Sequence, residues 1–178
     1  EQLRKYGDFN GAKVQYDIII AADPDSETAN FSKGSILMKQ EKLGEAIQCF
    51  LKILSNNPSA FDAHFNLASC FFRQKKYAAA INHFRIASRN KDLANRSLYL
   101  MAQCYAKRDD FDQAIVAMEK LIEIDDKNVC YRKALGEFYE SAGEYDMAED
   151  VYFDLTCIAP TRSEFWLKLA FAQIRNKN

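Results

Sequence analysis

From Phe9 onward the apolar positions fall at spacings of three and four, which is the period of a helix face and not the alternation of a strand. Ala12, Ala46, Ala80, Ala114 and Ala148 stand 34 residues apart without an insertion. Three residues before them come Phe9, Leu43, Tyr77, Phe111 and Tyr145. Four residues after them come Tyr16, Phe50, Phe84, Met118 and Tyr152, and one turn further Ile19, Ile53, Ala87, Leu121 and Leu155. A second helical face fills the intervals. Its small residues are Gly34, Ala68, Ala102, Gly136 and Ala170, with Leu37, Phe71, Tyr105 and Tyr139 three positions on and Gln173 in the last repeat. A small residue lets a neighbouring helix approach, and the large one a turn later fills the space beside it. The pattern predicts paired antiparallel helices, repeated along the chain.

The best-formed repeats read FDAHFNLASCFFRQKKYAAAINHFRIASRN from Phe61 and VCYRKALGEFYESAGEYDMAEDVYFDLTCIAP from Val129, and Pro24, Pro58 and Pro160 close three of the units. A 34-residue helix-turn-helix of this kind resembles the tetratricopeptide repeat, over essentially the whole chain. The resemblance implies an all-α fold, a right-handed superhelical solenoid of antiparallel helix pairs. Residues 1–178 are read as a single domain: a partial unit 1–26, full units 27–60, 61–94, 95–128 and 129–162, and a terminal helix 163–175. Glu1 falls at about the ninth position of a unit, so a piece of a longer array is expected. Ser59 with Asp62, and Thr161 with Glu164, have the spacing of capping boxes. The turns inside the units are Gln40-Glu41-Lys42, Gln74-Lys75-Lys76, Arg108-Asp109-Asp110 and Ala142-Gly143-Glu144. With glycine in only one, they are read as short turns that do not require it.

Composition narrows the chemistry. A 48% hydrophobic content excludes a disordered chain, and a formal charge of -1 leaves no net field for nucleic acid or an anionic membrane. No apolar run approaches the length of a membrane span. The five cysteines, 49, 70, 104, 130 and 157, are odd in number and form no CxxC, so all are expected as small buried hydrophobes in a reducing, intracellular setting, most simply the cytoplasm. Only two histidines are present. His64 occupies a packing position of a first helix, and His83 is expected on the outer surface. Asp109, Asp110 and Asp112 lack the glycine and terminal glutamate of a calcium loop. With no phosphate-binding loop and no nucleophile motif, no enzymatic activity, cofactor or metal is expected.

In the family that the chain resembles, first helices line a concave inner surface, with unit positions 2, 5, 6, 9, 12 and 13 facing it. At position 5 this implies Phe31, Phe65 and Tyr99, then Lys133, and at position 13 Lys39, Arg73 and Lys107, then Ser141. Phe31, Phe65, Phe72 and Tyr99 are the expected apolar anchors of a partner-binding groove. Lys39, Arg73 and Lys107 are its electrostatic guides, and Asn66 and Gln103 lie on the same face. The implied function is a noncatalytic scaffold that holds a peptide or helix of another protein, one carrying acidic residues, within a multiprotein assembly or transport complex. Alternatives are self-association through the ends of the array, a structural spacer, and a regulatory domain of an enzyme whose catalytic part lies elsewhere. The carboxylate clamp of the chaperone-binding members is missing apart from Asn66, with Phe31 and Ser35 where it needs lysine and asparagine.

Overall fold

A computed structural model describes residues 9–177, with side chains from residue 11. The turn expected over residues 6–8 and the Phe9 ring lie outside the described residues. Ten α-helices follow among the described residues: α1 (Phe9–Ala22), α2 (Glu27–Lys39), α3 (Leu43–Asn56), α4 (Phe61–Arg73), α5 (Tyr77–Ala87), α6 (Lys91–Ala106), α7 (Phe111–Ile124), α8 (Val129–Ala142), α9 (Tyr145–Ile158) and α10 (Ser163–Asn176). The chain forms two compact units, Glu1–Ala94 and Asn95–Asn178, with the boundary inside α6.

In the first unit each helix packs on its sequence neighbours, from α1 through α5, with only a brief contact between α2 and α4. In the second unit α7, α8, α9 and α10 pack in the same serial way. Contacts restricted to successive elements are what define a helix-pair solenoid. The repeated alanines explain the close packing: Ala46, Ala80, Ala114 and Ala148 are all fully buried. Around them in the first unit lie Phe50, Ile53, Leu37, Leu67 and Cys70, and beside these Ala12, Tyr16, Ala29 and Ile36. The second unit gathers Met118, Leu121, Leu135, Tyr152, Leu155 and Phe165. At two places the approach is so close that only glycine fits. A Cβ on Gly34 would lie 2.8 Å from Phe50 Cζ, and one on Gly136 would lie 2.6 Å from Tyr152 Cε1.

The turns correct the sequence reading. Glu41, Lys75 and Asp109 have φ of 60°, 61° and 59°, at the same register as Gly143 with φ 84°. All four turns therefore need the left-handed conformation, which costs an L-residue roughly 1–2 kcal/mol. The hydrogen bonds of the turn oppose that cost. Lys42, Lys76, Asp110 and Glu144 N–H groups donate to the carbonyls of Leu37, Phe71, Tyr105 and Tyr139 at 2.9–3.0 Å, closing each helix end in a Schellman-type loop. The expected capping boxes are absent. Residues 60 and 162 occupy the N-cap positions of α4 and α10 without a side-chain cap. Ser59 and Thr161 stand too early to serve. The side-chain cap found is Asn128, whose Oδ1 accepts from the N–H groups of Cys130 and Tyr131 at 3.1 and 3.2 Å.

A further regularity joins successive hairpins. Asn30 Nδ2 donates to the Pro24 carbonyl at 3.0 Å, and Arg132 Nε to that of Asp126 at 2.8 Å. Trp166 Nε1 donates to the Pro160 carbonyl at 3.0 Å, and His64 Nε2 to that of Pro58 at 3.0 Å. Four unlike side chains at one register thus perform one task. Each satisfies a carbonyl of the inter-unit loop six residues earlier, a group that would otherwise be left without a helical partner.

Candidate functional site

The second unit carries an open cleft of about 550 Å³. One wall is a face of α6, Tyr99, Gln103 and Ala106, continued by Lys107 and Asp109 in the turn. The opposite wall is a face of α8, Ala134, Glu137, Phe138 and Ser141, and Phe111 at the start of α7 completes the lining. Each wall follows helical spacing, so each is one side of a helix. The cleft exists because Ala106 and Ala134 are small where the flanking positions carry rings. The Tyr99 ring leans on Tyr131, with centroids 5.8 Å apart and planes at 41°. Ser141 Oγ donates to the Glu137 carbonyl of its own helix at 2.8 Å. Lys107 and Asp109 are exposed, and the Glu137 carboxylate lies 3.8 Å from Lys168 Nζ. The lining is therefore apolar at the rings, with charges of both signs around it.

Of the residues expected in the groove, the cleft brings together Tyr99, Gln103 and Lys107. The others lie in the first unit and are placed differently from one another. Phe65 is only 8% exposed and meets Phe84 edge-on at 5.5 Å, so it corrects the expectation of an accessible anchor. Position 5 turns toward the partner helix of its own hairpin, where a large buried ring is available. Phe31 follows the same course less deeply, half-buried and edge-on to Phe50 at 5.9 Å. Phe72 is half-buried against Tyr77 at 5.8 Å. Arg73 is likewise engaged: Nη1 donates to the Met38 carbonyl at 2.7 Å and Nη2 pairs with Glu41 at 3.0 Å, which ties it to the preceding turn. The Asn66 amide donates to the Asp62 carbonyl on its own helix at 2.8 Å. Lys39 is exposed at the end of α2.

Phe138 was expected in the core with Ile36, Cys70 and Cys104. It is half-buried and lines the cleft, because its neighbour across the gap is Ala106 and not a ring. Sequence reasoning also missed Phe111 and Ala134. The available signal was the coincidence of small residues on two successive first helices. On α10 the positions equivalent to the groove ladders are apolar again, with Leu167, Phe171 and Ile174 exposed.

Other reactive groups play structural parts. Cys49, Cys70 and Cys104 are buried as expected, and burial pushes the last two thiols up to about 11 and about 12. Cys130 and Cys157 are exposed, contrary to expectation, since they sit on the outer faces of α8 and α9. No group of three or more His, Cys, Asp or Glu is placed to hold a metal among the described residues. His83 is not an outer-surface residue. It is half-buried between His64, at 5.1 Å, and Phe71, at 5.6 Å. His64 Nε2 must carry a proton to donate to Pro58, so in the neutral pair its Nδ1 accepts from His83 Nδ1–H at 2.9 Å.

Burial, with the charge of His64 second, holds His83 below the ordinary histidine range. The unfolded chain therefore binds a proton there more readily than the folded one. The stabilising contribution is fully present above about pH 6.5, the ordinary histidine value, and is lost as pH falls from there toward the depressed folded value. Urea denaturation at pH 7.5 and at pH 5.5 is expected to show a larger loss of stability for the wild type than for His83→Val, which copies Val151 at the same register. Equal losses in the two proteins would remove His83 as the source.

No helix among the described residues is long and apolar enough to cross a membrane. Tetratricopeptide repeat profiles match residues 3–59 and 33–94, then 96–128 and 132–164. No curated protein matches the chain by sequence. Among solved structures, that of MamA has a TM-score of 0.83 at 24% identity, covering 92% of this chain and 95% of MamA. A tetratricopeptide repeat protein from Parabacteroides merdae ATCC 43184 has a TM-score of 0.85 at 19% identity, covering 99% of this chain and 70% of its own. YrrB, a TPR protein with an unusual peptide-binding site, has a TM-score of 0.72 at 17% identity, covering 92% and 84%. At these identities the likeness is one of fold. The profiles and the serial helix pairs together establish that the chain belongs to the tetratricopeptide repeat family, whose members are noncatalytic protein-binding scaffolds.

Proposed function

We propose that this protein is a peptide-binding scaffold whose partner segment seats in the cleft between α6 and α8, within a larger protein assembly. The observation that carries the reading is the cleft itself: two ring-bearing walls held apart by Ala106 and Ala134, and open to solvent. Exposed apolar surface inside a concavity is the usual mark of a docking site. Tyr99 and Phe138 supply the apolar contact, and Gln103 offers an amide between them. The expectation of a purely acidic partner is modified by Glu137 and Asp109, which stand in the same lining as Lys107. The segment that fits best has an apolar anchor flanked by an acidic residue for Lys107 and a basic or neutral one toward Glu137. The peptide-binding site of YrrB, a protein of the same fold, is consistent with such a use of this surface.

The test is selection of binders from a random peptide library, followed by affinity measurement on variants. The selected peptides are expected to lose affinity about tenfold or more with Lys107→Glu or Tyr99→Ala, of the order of 1.4 kcal/mol. Lys107 is exposed, so its replacement leaves the fold intact, and the helical signal of both variants serves as the control. Peptides that bind both variants as tightly as wild type would show that the cleft is not the site.

A further inference from the structure

On a different surface, α10 presents the most apolar exposed face among the described helices. Leu167, Phe171 and Ile174 are 59%, 55% and 58% exposed, with Trp166 at 51% on the flank. Ala170 is exposed at the centre of the same face, whereas its register equivalents Gly34, Ala68, Ala102 and Gly136 are all buried. Residues 167, 170, 171 and 174 follow one stripe of the helix.

The pattern along this stripe is self-complementary when read against itself in reverse. Set antiparallel about the point between residues 170 and 171, Leu167 falls opposite Ile174, and the small Ala170 falls opposite the large Phe171. Small against large at the centre is the arrangement that permits close helix approach. The flanking charges match as well. Glu164, in the first turn, and Arg175, in the last, border the stripe on the same side. In an antiparallel pair the two therefore meet across the contact, twice by symmetry. The helix dipoles are also opposed in that arrangement.

We infer that α10 is a homodimerisation helix, whose occupant is the α10 of a second copy packed antiparallel about a two-fold axis. Closed two-fold contacts are the commonest form of self-association, because one patch serves both partners. Few large side chains take part, so the dimer forms with modest affinity and its population depends on concentration. The surface is separate from the α6–α8 cleft, and the inference does not rest on peptide binding there.

The experiment is sedimentation equilibrium of the whole chain from low micromolar to near-millimolar concentration. The mass is expected to rise from 20.4 kDa toward twice that value and stop. Phe171→Glu and, separately, Leu167→Glu should each weaken dimerisation at least tenfold while leaving the helical signal unchanged, since both side chains are exposed in the monomer. Arg175→Glu alone should weaken it, and Glu164→Arg combined with Arg175→Glu should restore it, which only the antiparallel register explains. A monomer at every concentration overturns the inference. So does a dimer indifferent to Phe171→Glu, a mass that grows beyond two copies, or a charge reversal that fails to restore association.

Discussion

Phe50→Ala is expected to cost about 3–5 kcal/mol, a large part of the stability of a domain this size. Phe50 is 0% exposed and sits in α3, between α2 and α4. Its ring rests on the backbone of α2 at Gly34 and meets the edge of Phe31. Gly34 has no side chain that could swing into the space left by the ring, so the void closes only if helix backbones move. That places the loss toward the upper part of the range. A urea titration should show the midpoint falling with little change in slope. Hydrogen exchange should show α2 to α4 losing protection, because contacts in a solenoid are made with neighbours. Leu51, the next residue, is 41% exposed, and Leu51→Ala should shift stability by no more than about 0.5 kcal/mol. If the two substitutions had similar effects, the inward register of α3 would be wrong.

The contrast between Phe50 and Leu51 was legible in the sequence, because 34-residue spacing averages over five repeats and isolates what the core requires. Alanine at 46, 80, 114 and 148 can mean only close approach when the residue four positions on is large each time. What the spacing does not carry is depth. Phe31, Phe65 and Tyr99 share a register, yet Phe65 is buried against Phe84 while Tyr99 stands in a cleft. The difference comes from what the facing helix offers, a ring in one case and an alanine in the other. Chemistry hidden under unlike side chains was equally illegible. Asn30, His64, Arg132 and Trp166 have in common only an N–H at the right height, so residue type gave no sign that they make the same hydrogen bond. The left-handed turns were misread for a related reason. Glycine marks such a turn at 143, but glutamate, lysine and aspartate adopt the same conformation at 41, 75 and 109. There the loop hydrogen bonds override the local preference of the residue.

The same small-against-large logic makes Gly136 the second sensitive position. Gly136→Ala is expected to destabilise the protein by about 2 kcal/mol, although alanine is intrinsically better in a helix by roughly 0.5–1 kcal/mol. The added Cβ would lie 2.6 Å from Cε1 and 2.8 Å from Cζ of Tyr152. That ring is fully buried, and its hydroxyl has no hydrogen-bond partner among the described residues, so the ring has no alternative pocket in which to settle. The chain supplies the compensating change elsewhere. In the preceding repeat, alanine at this register, Ala102, is matched by Met118 at the register of Tyr152, and both are fully buried. Methionine is unbranched and fills irregular space, so it accommodates the extra methyl group that a rigid phenol does not. The pair Gly136→Ala with Tyr152→Met should therefore be more stable than the sum of the single changes by about 1–2 kcal/mol, measured as a double-mutant cycle in urea. Additive effects would mean that the two positions do not share the contact, and that the glycine at 136 answers to some demand other than the ring of Tyr152.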